Sequence, residues 1–333
     1  MNGGNQRVNK MSLISKNFLS KAEYQKIADF YDLGSIKKLA KIKKGFEATK
    51  VIVTTNKGRF VVSLYKLVKK AEVIRKTKDS LNWEVQLANF FQELPVPHFL
   101  QSKNQRLIEN YKRFKVTVCR FLPGKNPLTI TPAKAYQLGK FLGEFHNQGK
   151  RFRKKCSARR KFYELSPRVM EKMNAYVIQQ RHPLLKKVVE EVISGVKKYY
   201  PPSNLPQGPI HIDIKPENEL FIGNKLTGVV DFGISYIGPY MIDVGKAIMW
   251  NCIKNGKVDK ILLQNFLKGY KNKHQLTRLE SDYLKNSVFY GIYSLLYIDF
   301  YHLPFKRVPL KYCLFLTRNF LPLANNLNKL KCF

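Results

Sequence analysis

The first third of the chain alternates between short helical and strand patterns. Ser20 and Glu23 have the spacing of a capping box, which predicts a short helix that runs to about Phe30. Two runs rich in β-branched and aromatic residues flank the turn sequence Asn56-Lys57-Gly58, a pattern typical of a β-hairpin. These two predicted strands span 51–55 and 59–65.

A second helix and another strand pair follow this hairpin. An apolar stripe over 81–92 predicts the helix, and Leu94-Pro95-Val96-Pro97 ends it. The strand pair is predicted over 99–121, and Pro123-Gly124 breaks its last strand. We therefore predict an antiparallel-sheet N-terminal lobe over 20–123, preceded by a flexible extension over 1–19.

The remainder of the chain has a mainly helical pattern. Thr131 and Pro132 mark an N-cap and a first helical residue, and 165–199 is predicted to be helical again. Several helices are predicted over 240–325. The apolar stretch at 287–298 is shorter than the roughly 20 residues of a membrane span, so it predicts a buried core helix. The chain is thus predicted to be a bilobal α+β protein with a helical C-terminal lobe over 124–333.

Length and composition are those of a globular protein. The 333 residues suffice for two lobes, and a hydrophobic fraction of 44% excludes wholesale disorder. The five cysteines form no CxxC pair and have no regular spacing, which argues against a disulfide framework and against a zinc site. The polar N-terminus shows no secretory signal pattern, and we expect a cytoplasmic protein.

The net charge of +37 is the most unusual property of the composition. Such a charge can attract nucleic acid, an anionic membrane or acidic ligands. It also arises in a lysine-biased composition whose solvated faces carry Lys by default, and the abundant Ile, Asn, Tyr and Phe favour this second interpretation. Nucleic acid is therefore not expected as a partner, although Arg151–Lys161 is a dense basic run.

The candidate chemistry lies in two motifs of the C-terminal lobe. His211-Ile-Asp213-Ile-Lys215-Pro-Glu-Asn218 is followed by Asp231-Phe-Gly233. Phosphoryl transfer from ATP needs a positioned acceptor hydroxyl, magnesium on the phosphates and charge compensation. Asp213 is predicted to be the base, and Asn218 and Asp231 to bind Mg²⁺, which prefers hard oxygen donors. Of the other catalytic-loop residues, His211 is expected to pack beneath the loop and Lys215 to reach the γ-phosphate.

With these residues the chain resembles the aminoglycoside phosphotransferase and choline kinase superfamily, whose members have a protein-kinase-like fold. Protein kinases have the same two sequence motifs, but they need a long activation loop after Asp-Phe-Gly. Here Gly233–Tyr240 leads directly into Met241-Ile242-Asp243, which leaves no room for such a loop. The resemblance therefore favours a small-molecule kinase.

Within this superfamily the chain most resembles the homoserine kinases, over 22–318. Ser63 stands where most kinases of this fold carry a phosphate-binding Lys or Arg, and the homoserine kinase group likewise carries a small hydroxyl residue there. The resemblance implies an ATP- and Mg²⁺-dependent kinase that converts L-homoserine to O-phosphohomoserine in threonine biosynthesis. We expect the protein to be a monomer or a homodimer.

The resemblance implies roles for residues of the N-terminal lobe as well. The loop at Gly45 is expected to cover the phosphates, and Glu84 occupies the place of the acidic residue on the N-lobe helix. A plain surface carboxylate is an equal interpretation of Glu84. The hinge whose backbone binds adenine is expected at Arg120, Phe121 and Leu122.

Three departures from the homoserine kinase pattern keep other acceptors open. Gly45 is followed by Phe46–Lys50 in place of a Glu-Asn-Ser-Asn-like stretch, and Tyr290–Tyr297 replaces an Arg-containing helix. Lys215 stands where those kinases usually have Phe. The alternatives are a kinase of another amino alcohol, a choline-like base or a sugar or aminoglycoside, and a nucleotide-binding pseudokinase with a basic interaction surface.

Overall fold

The computed structural model describes residues 19–42, 48–68, 76–154, 167–254, 256–305 and 308–327. The chain divides into two compact units, which we call the N-terminal unit and the C-terminal unit. The N-terminal unit comprises the described residues of 1–89 and 97–121, and the C-terminal unit those of 90–96 and 122–333. Of the extension predicted over 1–19, all but Leu19 lies outside the described residues.

The N-terminal unit begins with a helix whose start is fixed by local hydrogen bonds. The Glu23 amide donates to Ser20 Oγ at 3.2 Å, and the Ser20 amide donates to Glu23 Oε2 at 2.7 Å, which confirms the predicted capping box. The elements of this unit are α1 (Lys21–Phe30), β1 (Ile36–Lys41), β2 (Ala48–Thr55), β3 (Gly58–Tyr65), α2 (Lys78–Phe90), β4 (Glu109–Tyr111) and β5 (Phe114–Arg120).

These strands form a five-stranded antiparallel sheet in the order β1-β2-β3-β5-β4. Val62 on β3 packs against α1 residues such as Ile27 in the main core of the unit. Tyr65 lies on the opposite face, where it packs against Leu81 of α2. Because strand side chains alternate between faces, Ser63 shares the α2 side of the sheet with Tyr65.

The C-terminal unit is mainly helical. Its short strands pair two by two in antiparallel fashion, β6 with β9, β7 with β8 and β10 with β11. The elements are α3 (Pro132–Gly149), α4 (Pro167–Gln179), α5 (Pro183–Lys198), β6 (Gln207–Ile210), β7 (Glu219–Ile222), β8 (Lys225–Val229), β9 (Tyr236–Pro239), α6 (Tyr240–Asn251), β10 (Ile253–Lys254), β11 (Lys257–Val258), α7 (Lys260–Lys271), α8 (Arg278–His302) and α9 (Leu310–Leu327). The predicted α+β class is confirmed.

The helical run predicted over 165–199 is divided in two. Arg181 adopts a left-handed conformation with φ 48° between α4 and α5, and Pro183 opens α5. Proline fits the first helical turn because the amide that it lacks would have no partner there. The predicted core helix over 287–298 lies within α8, and Ile292 and Leu296 are fully buried. None of the described helices is long and apolar enough to cross a membrane.

Helices α6 and α8 pack at very short range. A Cβ added at Gly245 would lie 2.0 Å from the carbonyl oxygen of Ser287, and one added at Gly291 would lie 3.3 Å from the amide nitrogen of Lys246. At Gly245 this approach requires a residue without a Cβ, and at Gly291 a Cβ would require the neighbouring backbone to shift by a few tenths of an ångström. The contact fixes α6, which supports the candidate site, against the central helix of the unit.

Candidate functional site

The loop that carries the candidate site is anchored to α6 by one buried carboxylate. Asp243 is fully buried, and it accepts hydrogen bonds from the amides of His211 at 2.7 Å and Ile212 at 2.6 Å. Ile212 has φ 66°, a left-handed conformation that is strained for a β-branched residue. Two hydrogen bonds to a carboxylate thus hold a strained backbone directly before Asp213.

Asp243 is itself held by a buried histidine on α3. His146 Nε2 lies 3.2 Å from Asp243 Oδ2, and its Nδ1 lies 2.8 Å from the Tyr270 hydroxyl. Burial lowers the pKa of His146, while Asp243 opposes that shift. A neutral imidazole that donates from Nε2 and accepts the Tyr270 proton at Nδ1 satisfies both contacts.

The structure brings the predicted base together with two of its predicted partners. Asp213 Oδ2 accepts from Asn218 Nδ2 at 2.9 Å and forms an ion pair with Lys215 Nζ at 2.9 Å. The 3₁₀ turn at Pro216–Asn218 folds the chain back, so Asn218 also donates to the Asp213 carbonyl at 2.9 Å. These three side chains form one hydrogen-bonded group.

The β7–β8 hairpin brings Asp231 to this group. The Val230 amide donates to the Asn218 carbonyl at 2.9 Å, so the residue next along the chain lies beside Asn218. Asp231 has φ 73°, a left-handed conformation that aspartate adopts more readily than most residues. The Phe232 side chain that follows is buried against the His211 ring, at a centroid distance of 4.5 Å.

The His211 ring packs against the loop that carries Asp213. Its ring is fully buried, and its Nδ1 accepts from the Asp213 amide at 3.2 Å. Within the described part of the chain, Nε2 of this ring has no hydrogen-bond partner. The His211 ring thus contacts the loop backbone and the Phe232 ring.

Asn218 and Asp231 offer a donor pair that fits magnesium. Asn218 Nδ2 donates hydrogen bonds to the carbonyl and to the carboxylate of Asp213. The other side-chain atom of Asn218, Oδ1, is therefore the one that could bind a cation. An amide oxygen and a carboxylate are both hard donors, and Mg²⁺ commonly takes one or two protein ligands with phosphate and water completing its shell.

Carboxylates dominate the surroundings of Lys215. Burial lowers the pKa of its ammonium group, but Asp213, Glu217 and Asp231 outweigh burial and raise the pKa above its ordinary value. The group therefore stays charged at neutral pH. Its Nζ also lies 5.9 Å from the centroid of the Trp250 ring on α6.

In the N-terminal unit, Glu84 is buried on α2 and forms an ion pair with Lys76, which is buried as well. The interpretation of Glu84 as a surface carboxylate is therefore wrong. Lys76 lies two residues before α2, and Thr77 and Ser80 cap that helix with reciprocal hydrogen bonds. Lys76 is not among the predicted site residues, because a lysine was expected only at the strand position that Ser63 occupies.

The Lys76–Glu84 pair lies on the same side of the sheet as Ser63. Lys76 Nζ is 5.4 Å from the centroid of the Tyr65 ring, two residues along β3 from Ser63. Ser63 is 4% exposed, and in the sheet it stands directly between Lys50 on β2 and Thr117 on β5.

The proposed hinge residues lie where the chain passes from one unit to the other. The Arg120 amide donates to the His98 carbonyl at 3.3 Å, and the Phe121 amide donates to the Arg59 carbonyl at 3.0 Å. Two of the three predicted hinge residues thus have backbone amides that are engaged within the N-terminal unit. Leu122 is the first residue of the C-terminal unit after this hinge. Gly45 lies outside the described residues.

The sequence of this chain is similar to those of known proteins. A family model described as the phosphotransferase enzyme family matches residues 38–277, more than half of the chain. The homoserine kinase of Polaromonas naphthalenivorans (strain CJ2) is 23% identical over 255 residues, covering 75% of this chain and 78% of that protein.

Two solved structures share the fold. An amicoumacin kinase in complex with AMP-PNP, Ca²⁺ and Ami superposes with a TM-score of 0.67 at 14% identity, covering 92% of this chain and 94% of that one. A microcompartment-associated aminopropanol kinase gives a TM-score of 0.62 at 14% identity, with coverages of 93% and 97%. These likenesses confirm the predicted kinase-like fold. The chain therefore belongs to the phosphotransferase enzyme family.

Proposed function

We propose that this protein is an ATP-dependent kinase of a small-molecule hydroxyl, with L-homoserine as the best candidate acceptor. The observation that carries the proposal is the hydrogen-bonded group of Asp213, Lys215 and Asn218 with Asp231 beside it. The similarity to homoserine kinases over three quarters of the chain supports the choice of acceptor.

The roles follow from the chemistry of each side chain. Asn218 and Lys215 both bind Oδ2 of Asp213, which leaves Oδ1 as the oxygen that accepts the proton of the acceptor hydroxyl. The acceptor oxygen then forms its bond to the γ-phosphorus as the bond to the ADP oxygen breaks. Lys215 compensates negative charge on the transferring group.

Asn218 Oδ1 and Asp231 would hold magnesium, which when bound neutralises the charge of the phosphates. Both oxygens are positioned by the hairpin and by the hydrogen bond from Asn218 to Asp213. The proposed metal ligand Asn218 is therefore hydrogen-bonded directly to the proposed base Asp213.

In the N-terminal unit we assign phosphate binding to Lys76 in place of a strand lysine. Glu84 holds its ammonium group on the sheet face that Ser63 occupies. A serine at position 63 is too short to replace a lysine, and Lys76 is a cation that another element supplies at this face.

An ADP-release assay with Mg²⁺ and an acceptor panel tests the proposal. The panel contains L-homoserine, choline, 3-aminopropan-1-ol and an aminoglycoside. Release that depends on L-homoserine supports the whole proposal. Release with another member and none with L-homoserine overturns the acceptor but leaves the kinase assignment intact.

The pseudokinase alternative is favoured by one property, the net charge of +37. It predicts nucleotide binding without turnover of any acceptor. It also predicts binding to DNA or RNA that persists at physiological salt, although phosphate contacts weaken steeply with salt. Acceptor-dependent turnover would exclude it.

A further inference from the structure

A short linker, residues 123–127, lies along β7 at the start of the C-terminal unit. The Lys125 amide donates to the Phe221 carbonyl at 3.0 Å, and the Phe221 amide donates to the Lys125 carbonyl at 2.9 Å. Two reciprocal bonds of this kind are the hydrogen-bonded pair of an antiparallel ladder, and here they form an isolated bridge. The linker backbone is therefore fixed against β7 at Lys125.

One residue further along, the Asn126 side chain replaces the linker backbone as the hydrogen-bonding group. Its Nδ2 donates to the Glu217 carbonyl and to the Glu219 carbonyl, both at 2.9 Å. A side-chain amide carries two N–H donors, so this one group can satisfy both carbonyls. The next residue is Pro127, which has no amide and could not continue a backbone ladder. Asn126 thus extends the contact with this segment beyond the point where backbone pairing ends.

The two carbonyls that Asn126 binds belong to the residues on either side of Asn218. Between them, the Asn218 carbonyl accepts the Val230 amide at 2.9 Å, and the Asn218 amide donates to the Lys215 carbonyl at 2.8 Å. Three consecutive carbonyls of this segment are therefore held in place, two of them by Asn126. The backbone that carries the proposed metal ligand is fixed from both sides.

Attachment of the linker to the hairpin does not depend on Asn126. Thr227 Oγ1 on β8 lies 2.5 Å from the Pro123 carbonyl oxygen and 3.1 Å from the Leu220 carbonyl oxygen. The backbone bridge between the linker and β7 adds two further bonds. Neither of these contacts involves a residue next to Asn218, whereas both acceptors of Asn126 adjoin it.

We propose that Asn126 is a positioning residue for magnesium, which holds the peptide units on both sides of Asn218 so that Asn218 Oδ1 keeps the place of a metal ligand. The inference rests on the proposed role of Asn218 and Asp231 as magnesium ligands. Mg²⁺ demands near-ideal octahedral geometry at short distances, so a small displacement of one ligand weakens its binding. The donors of Asn126 are bonded to backbone carbonyls, so this residue acts through Asn218.

Calorimetric titration with ADP, once with excess Mg²⁺ and once with a chelator, tests the proposal without turnover. A metal ion that bridges the protein and the phosphates strengthens ADP binding, because two coupled ligands raise each other's affinity by the same factor. Asn126→Ala is expected to raise the dissociation constant for ADP with Mg²⁺ by on the order of 10–100-fold. The dissociation constant with the chelator is expected to stay close to that of the wild type, which also shows that the variant is folded.

Two further variants separate positioning of the metal ligand from general loosening of the hairpin. Thr227→Val removes the hydroxyl contacts with the linker but leaves the carbonyls beside Asn218 untouched, and it is expected to leave both dissociation constants unchanged. Asn218→Ala is expected to weaken ADP binding with Mg²⁺ at least as much as Asn126→Ala. Because Asn126 acts through Asn218, the double variant at these two positions is expected to lose no more than Asn218→Ala alone.

The outcomes distinguish failure of the inference from failure of the proposed function. An unchanged dissociation constant for ADP with Mg²⁺ in Asn126→Ala, an equal rise in Thr227→Val, or additive losses in the double variant would overturn the inference. A wild-type protein whose ADP binding does not depend on Mg²⁺ would overturn the metal-ligand roles and the inference with them. If the variants behave as expected but the wild type phosphorylates no alcohol, the proposed kinase function fails and the inference about Asn126 stands.

Discussion

The Ile212 amide donates to Asp243 Oδ1 at 2.6 Å although Ile212 has a left-handed φ of 66°. An unfavourable backbone conformation is thus stabilised by a carboxylate from another element, one residue before the proposed base. The loop that begins at His211 is consequently held in position against α6.

The first prediction concerns this anchor. Asp243→Asn keeps the size of the side chain but replaces one acceptor oxygen by a donor, so one loop amide loses its partner in a buried site. We expect a loss of about 1–3 kcal/mol in the free energy of unfolding. The reason is that a buried loop amide without an acceptor loses its hydrogen bonds to water on folding and gains none in return. We also expect kcat to fall more than tenfold as Asp213 loses its position.

Chemical denaturation and steady-state kinetics check this prediction, and Asp282→Asn on α8 is the matched control. An Asp243→Asn protein with wild-type kcat would show that the anchor does not position Asp213.

The second prediction concerns the proposed base. Asp213→Asn retains the shape of the side chain but cannot accept the hydroxyl proton, and we expect kcat to fall by on the order of 10²–10⁴-fold. The dissociation constant for the nucleotide should change little, because the proposed metal ligands Asn218 and Asp231 remain. Calorimetric titration with ADP and Mg²⁺ measures the second quantity. Weakened nucleotide binding in parallel with kcat would instead point to a role in binding.

The third prediction concerns the buried ion pair of the N-terminal unit. Lys76→Met leaves Glu84 buried and unpaired, so we expect a loss of roughly 3–5 kcal/mol in stability. The double variant with Glu84→Gln should recover part of that stability, because the uncompensated charge is gone. In this double variant, KM for ATP should still be at least tenfold higher than in the wild type.

Lys50→Met is the informative comparison, since Lys50 stands directly opposite Ser63 on β2. If Lys50→Met raises KM for ATP while the double variant at positions 76 and 84 does not, the phosphate-binding cation is Lys50 and the assignment of Lys76 is wrong.

The fourth prediction concerns pH. Burial holds the pKa of His146 below its ordinary value of 6.5, so the unfolded chain takes up a proton at this position before the folded protein does. The stability that His146 contributes is therefore present above about pH 6.5 and is lost as the pH falls below it.

His146→Gln can still donate to Asp243 but does not titrate. Its unfolding free energy should decline less than that of the wild type between pH 7.5 and 5.5, as urea denaturation would show. An equal decline would mean that other groups govern the pH dependence.

Local patterns in the sequence were sufficient for part of the fold and of the site. The capping box at Ser20 and Glu23 needs only residues three apart, and it is present as predicted. Asp213, Lys215 and Asn218 come together within one short loop, and a hairpin brings Asp231 to them. Short-range geometry of this kind follows directly from spacing and turn chemistry.

The supporting contacts could not be predicted in the same way because they join distant segments. Asp243 binds an amide 31 residues earlier in the chain, and His146 reaches Asp243 across 97 residues. No local pattern distinguishes these residues from ordinary core positions. Lys246 is the one lysine of α6, and nothing in the local sequence shows that its side chain is buried.

The most direct test of the central claim is a ³¹P NMR spectrum of the wild-type protein incubated with ATP, Mg²⁺ and L-homoserine. We expect a new phosphomonoester resonance that grows as ADP accumulates, and we expect it to be absent from the same mixture with Asp213→Asn. A spectrum without this resonance, or one in which Asp213→Asn forms it at the wild-type rate, would contradict the proposed function.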